Sequence, residues 1–300
     1  MSGADIVEEQ VPKRPARRDH VPLGIAFMLA ATVMFSGSSA LSKWQVVEYP
    51  IGEVLFVRTV TSLLVCSLLI LPAAGLGVFR TSRRYDHFMR GIAQAASQSF
   101  IIIAFSMMPL AGAVAINFSS PLFATLASAL VLKEAVGPAR WSALIVGFLG
   151  VLIVAGPGAD SFQIGALFAL SNAVIYGSVT AAVRGMTATE SAETLTMYQM
   201  VVLTCVFAAL LPFGFKMPTL SGGALMMANG AANALGQYWW TRALHLAPAS
   251  AVTPFFYFSL VWAIIIGFFV WGDVPSVGLL AGSAIVVGSG LFLLWRESRR

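Results

Sequence analysis

GIAFMLAATVMFSGSSALSK at 24–43 and GALFALSNAVIYGSVTAAVR at 165–184 are the two stretches whose comparison decides the fold. Sliding the chain on itself by 141 residues pairs Phe27 with Phe168, Leu29 with Leu170, Val33 with Val174 and Phe35 with Tyr176. Nearly the same offset pairs Glu53 with Glu193, Pro72 with Pro212, Gly91 with Gly230, Gln98 with Gln237, Pro109 with Pro248 and Glu134 with Asp273. Apolar, alanine-rich helices align by chance at any one place. An ordered series at one offset marks a duplicated half, with a period far too long for a solenoid repeat.

What is duplicated follows from composition. The chain has 58% hydrophobic and 10% charged residues with mean hydropathy +0.84, whereas a soluble domain keeps about a quarter of its residues charged. A helix crossing a hydrocarbon core needs about 20 apolar residues. Apolar runs punctuated by Pro, Gly and charge predict spans at 21–43, 51–72, 84–108, 110–132, 138–156, 162–184, 191–212, 220–246, 248–271 and 275–296. The expected fold is therefore an all-α membrane protein: a basic tail over 1–20, then five-helix repeats over 21–156 and 162–296 around a central cavity. Five is odd, so the second repeat enters the bilayer from the opposite side and the repeats are inverted.

With the N-terminus inside, every Lys and Arg falls on the cytoplasmic side except Lys43, Lys216 and Arg58. That asymmetry predicts cytoplasmic termini and an outer loop at 156–161. The basic residues are scattered between apolar runs, which argues against a nucleic-acid partner despite the net charge of +5. The expected surroundings are the lipid bilayer and a small-molecule substrate. Cys66 and Cys205 lie in apolar runs without metal-ligand spacing, so neither a disulfide nor a metal is expected. No cofactor motif is present. His20, His87 and His245 sit in the tail or at loop ends, with neither a nucleophile motif nor a zinc motif around them, so an enzyme is not expected.

Arg58 is the ionisable group inside a span, and such a group is costly unless it faces water or a partner. Two readings stand open: snorkelling to the outer headgroups, or a cavity position that attracts a substrate carboxylate. Its repeat mate is Tyr198. Amides and hydroxyls gather at mid-depth: Gln94, Ser97 and Gln98; Asn117, Ser119 and Ser120; Asn172 and Tyr176; Asn229, Asn233 and Gln237. Gln94 and Gln98 share a helix face, as do Asn229, Asn233 and Gln237. Each is either a cavity residue or interhelical glue. The candidate substrate-binding residues are thus Arg58, Gln94, Gln98, Asn117, Asn172, Tyr176, Tyr198, Asn233 and Gln237. Two charge pairs at equivalent helix ends, Lys43 with Glu53 and Arg184 with Glu193, are expected to close the two mouths alternately.

The ends of the fourth and ninth spans carry a more specific signal: Pro121, Lys133-Glu134, Gly147 and Gly150 in one half, and Gly272-Asp273, Gly282, Gly288 and Gly290 in the other. Over nearly the whole chain after its tail this resembles the EamA-type branch of the drug/metabolite transporter superfamily, and more loosely its bacterial amino-acid and aromatic amino-acid exporters. Lys133 stands where that family favours Gly, Leu260 lies opposite Pro121, and Asp273 replaces Glu. The resemblance implies a ten-helix basket in the bacterial inner membrane that exports amino acids or related metabolites by alternating access. Carriers for sugar phosphates or nucleotide sugars share that fold, but phosphate calls for several deep cations and only Arg58 is deep. A proton-driven drug exporter calls for a deep carboxylate, which the spans lack. A channel would show a repeated selectivity motif.

Overall fold

The computed structural model describes residues 20–131, 138–155, 160–186, 189–247 and 252–297. Outside these lie nearly all of the expected tail, the Lys133-Glu134 pair, residues 156–159 of the expected outer loop, and Pro248. Among the described residues every regular element is a helix: α1 Val21–Gln45, α2 Ile51–Ala74, α3 Arg84–Met107, α4 Leu110–Asn117, α5 Ser120–Val131, α6 Pro138–Ala155, α7 Asp160–Met186, α8 Ala192–Leu210, α9 Leu220–Leu246, α10 Phe258–Trp271 and α11 Val277–Glu297. Three 3-10 turns join them, at Leu76–Phe79, Leu211–Phe213 and Thr253–Tyr257.

Local chemistry sets the ends. Pro22 opens α1, where a missing amide hydrogen costs nothing. The Ser191 and Thr219 side chains cap α8 and α9 by accepting from the Thr194 and Gly222 amides. Gly75 and Gly272 end α2 and α10 at φ of +64° and +71°, a conformation costly for other residues. By length and composition, five described helices suffice to cross a hydrocarbon core, the windows being in α1, α2, α3, α7 and α8. Shorter apolar helices over 110–124, 141–154, 255–271 and 277–292, together with the 27-residue α9, complete ten spans.

Two spans differ from the expectation. The fourth and ninth were expected to run unbroken over 110–132 and 248–271, but each is interrupted. Pro121 has no amide hydrogen and its ring crowds the Asn117 carbonyl, so the helix stops at Asn117 and restarts at Ser120. Ser119 turns its hydroxyl back onto the Ile116 carbonyl at 2.7 Å. In the second half a 3-10 turn containing Pro254 precedes α10.

The packing pattern is unchanged when the halves are exchanged. The first helix of each half packs on the third of the other, giving α1 on α9 and α7 on α3. The fourth packs on the first of the other half, giving α5 on α7 and α10 on α1. Second pairs with second (α2 on α8) and fifth with fifth (α6 on α11). An inverted pseudo-twofold relation requires this set of pairings. At the α6–α11 contact a Cβ on Gly282 would meet the Gly150 carbonyl oxygen at 2.7 Å, so bare backbones make the interface.

Burial is distributed as a bilayer demands. Leu64, Leu68, Leu152 and Phe269 point outward, while Asn229, Gln45, Ser42, Ser62 and Glu53 are buried. Lipid solvates the apolar outer face, and the polar side chains find partners only inside.

Candidate substrate site

α2 places Arg58 on its inward face with 8% of its surface exposed. One terminal nitrogen of the guanidinium donates to the Gln98 side-chain oxygen of α3, the other reaches the Ser42 hydroxyl at 3.4 Å, and Nε is buried with no partner. No carboxylate pairs with it among the described residues. The position is interior and not a snorkel. α9 allows it by carrying Gly230, where a Cβ would stand 2.6 Å from the Arg58 carbonyl oxygen; the Gly230 carbonyl accepts from Ser62 at 2.8 Å.

Around this cation lies a polar lattice joining both halves. Ser97 donates to Asn172 at 2.6 Å, and Asn172 donates to Asn117 at 2.7 Å, linking α3, α7 and the break after α4. On the other side Asn229 binds Ser38 at 2.5 Å, Ser42 at 2.9 Å and Gln45 at 3.1 Å, and Asn233 donates to Ser62 at 3.3 Å. Asn229 and Asn233 therefore tie α9 to α1 and α2. The side chains of Gln94 and Gln237 have no protein partner among the described residues. An interior amide with spare donors and acceptors is a group that a polar solute can use.

Aromatic rings wall the same region at the two interrupted helices. Phe118, at the first break, lies 4.9 Å from Tyr257 and 6.0 Å from Phe256, in the turn that interrupts the ninth span. Phe256 in turn meets Phe35 of α1 at 6.1 Å, edge to face. Interrupted helices at equivalent positions of inverted repeats mark where transporters hold their solutes. The sequence carried the signal in Pro121 and Pro254.

The family model described as the EamA-like transporter family matches this chain twice, over 22–156 and 163–295. The chain belongs to that family. A riboflavin transporter of Rhizobium johnstonii is 30% identical over 281 residues, covering 93% of each protein. An S-adenosylmethionine uptake transporter of Rickettsia bellii is 26% identical over 280 residues, covering 92% of this chain and 95% of its own. A crystal structure at 20% identity superposes with a TM-score of 0.64 over 92% of this chain and 98% of its own, which shows the shared fold. This EamA-like chain is thus a multi-pass membrane transporter of the drug/metabolite type, and not an enzyme.

Several sequence expectations need correction within that fold. Tyr198 does not join Arg58: its hydroxyl donates to the Phe79 carbonyl at 2.8 Å and its ring stacks on His87 at 4.4 Å, near the opposite end of the bundle. Tyr176 is 43% exposed, with its hydroxyl in electrostatic range of Arg90 and not in the Arg58 lattice. The Lys43–Glu53 pair is not formed. Lys43 instead donates to the Met108 carbonyl at 2.9 Å, lies 3.8 Å from Asp273 and sits over the Trp271 ring. Glu53 accepts from the Lys216 amide at 2.8 Å, pinning the loop after α8 to the start of α2. Glu193 lies in the first turn of α8; the side chain of Arg184 lies outside the described residues. His87 is no loop-end residue. It is buried in the first turn of α3, where charged neighbours had disguised it.

Proposed function

We propose that this chain carries a neutral, planar heteroaromatic metabolite with a polar edge, of the riboflavin type, across the bacterial inner membrane by alternating access, with both termini cytoplasmic. One observation carries the reading: among the described residues a buried guanidinium has no carboxylate, and the amides of Gln94 and Gln237 have no protein partner. A fused-ring dione offers carbonyl and ring-nitrogen acceptors to Arg58 and both donors and acceptors to the glutamines, while its faces suit the Phe35–Phe256–Phe118–Tyr257 wall. Deep carboxylates would be wanted for a cationic solute. The described ones, Glu48, Glu53, Asp86, Asp160, Glu190, Glu193, Asp273 and Glu297, all stand in loops or within about one turn of helix ends. The name of the Rhizobium relative supports the same solute.

A second reading keeps the solute expected from sequence, an exported amino acid or similar zwitterion, and the unpaired charge of Arg58 favours it through the carboxylate. The test is counterflow of labelled riboflavin, aromatic amino acids and S-adenosylmethionine into liposomes carrying the purified chain. The proposal expects riboflavin to exchange and unlabelled riboflavin to compete. Exchange of amino acids without riboflavin would replace it by the second reading.

A further inference from the structure

A second polar cluster lies far from the Arg58 lattice, on the face that carries both described chain ends. It joins the start of α3 to the α7–α8 loop, and so one repeat to the other. His87 is buried, neither ring nitrogen has a hydrogen-bond partner among the described residues, and Nε2 lies 3.7 Å from a carboxylate oxygen of Glu190. That separation is too long for a hydrogen bond. The Glu190 side chain is itself 6% exposed, and its other oxygen accepts from Thr81 at 2.6 Å.

The surrounding charges leave His87 as the group free to titrate. From its own helix it faces Asp86 and Arg90; from the α7–α8 loop, Glu190; from α8, the Tyr198 ring stacked upon it. Arg83 is paired with Asp86 at 2.8 Å and donates to the Gly185 carbonyl at 3.1 Å. Arg90 donates to the Leu195 carbonyl at 3.1 Å and to Gln199 at 2.5 Å. Arginine stays charged and Tyr198 spends its proton on the Phe79 carbonyl. An unperturbed imidazole changes charge between pH 5 and 8.

We propose that His87 and Glu190 form a proton-binding site between the repeats, so that a proton is a second ligand of this carrier and its release loosens the closure of this face. With a neutral imidazole the two groups stand apart as found. A bound proton turns the imidazole into a cation that donates to Glu190, drawing the α7–α8 loop onto α3. Low pH therefore favours the latched face and high pH the open one. The latch is the same whichever solute the Arg58 lattice takes.

The test needs no solute. In a full-length chain with Cys66→Ala and Cys205→Ala, Gln94→Cys places a reporter on α3 about 10 Å deeper than His87. Its labelling by a hydrophilic maleimide in detergent is measured at pH 5.5 and 8 and normalised to the denatured protein at each pH. The expected result is labelling at least about fivefold faster at pH 8, the low end of typical two-site coupling. His87→Gln or Glu190→Gln should remove that pH dependence while the thermal transition shows a folded protein. Equal normalised rates at both pH values in the parent reporter overturn the proposal without any variant. An unchanged pH dependence in folded His87→Gln overturns it as well.

Discussion

Arg58→Met separates a functional charge from a structural one. The guanidinium holds one strong contact, to Gln98, one long contact to Ser42, and a buried Nε without a partner. Replacing even a paired set of buried charges by apolar side chains of similar volume is often neutral or stabilising by about 1–4 kcal/mol, and Arg58 has no paired carboxylate among the described residues to be stranded by its removal. Against this, the Gln98 oxygen is left unpaired, at about 1–3 kcal/mol. The two effects nearly cancel, so the folded amount and the thermal midpoint should stay close to those of the parent. A solute that accepts from Arg58 loses a hydrogen bond to a charged group worth about 1.5–3 kcal/mol, or about 10- to 150-fold in apparent affinity. Concentration-dependent counterflow in liposomes, read beside thermal unfolding in detergent, checks both halves of the statement. Affinity within about threefold of the parent would refute a substrate role for Arg58. A collapse of the thermal midpoint together with transport would make it a structural residue.

The other predictions concern closure, packing and orientation. Asp273→Asn should raise the reactivity of an interior cysteine from the face opposite the chain ends by a few fold. Lys43 and Asp273 are partly exposed and such a pair is worth about 1 kcal/mol or less; unchanged reactivity would dismiss the pair as a closure. Gly230→Val should destabilise the protein by about 1–3 kcal/mol because its Cβ would collide with the Arg58 carbonyl oxygen, seen as a lowered thermal midpoint and lower yield. Cysteines replacing Ser82 and Phe213, both exposed in loops on opposite faces, should label from the cytoplasm and from the outside respectively. Labelling of both from one side would refute the ten-span topology.

The sequence was most informative where physics is periodic or repeated. The 141-residue offset, the apolar run lengths and the segregation of Lys and Arg report helices, duplication and inversion, and those depend on composition averaged over many residues. The interrupted spans were legible too: Pro121 and Pro254 lie in them, but an apolar run reads as continuous unless the lost backbone hydrogen bond is given weight. Pairings were harder. Lys43 and Glu53 are near each other along the chain, yet the partner of Lys43 comes from the α10–α11 loop, a contact made by the packing of the two halves and invisible to local spacing. His87 lies among Arg83, Arg84, Asp86 and Arg90, a run that reads as a solvated loop end. Glu190 before α8 and the Tyr198 ring on α8 cover it in the folded chain, and neither is near it in sequence. Of the α9 stripe, Asn229 and Asn233 bond to α1 and α2 and Gln237 has no side-chain partner among the described residues, a division that periodicity alone cannot make because all three share one face.

Arg58 and Tyr198 occupy equivalent places in two halves whose packing is otherwise interchangeable. A carrier with identical halves would present the same sequence of contacts to a solute entering from either side, and would run forward and backward alike. Here one half carries a buried positive charge, Arg58, where the other carries a phenol already bonded to the Phe79 carbonyl. Arg58 against Tyr198 is one of several broken equivalences, with Pro121 against Leu260 another, and exchanging the two residues is the direct way to ask whether the two mouths then trade their affinities for a solute.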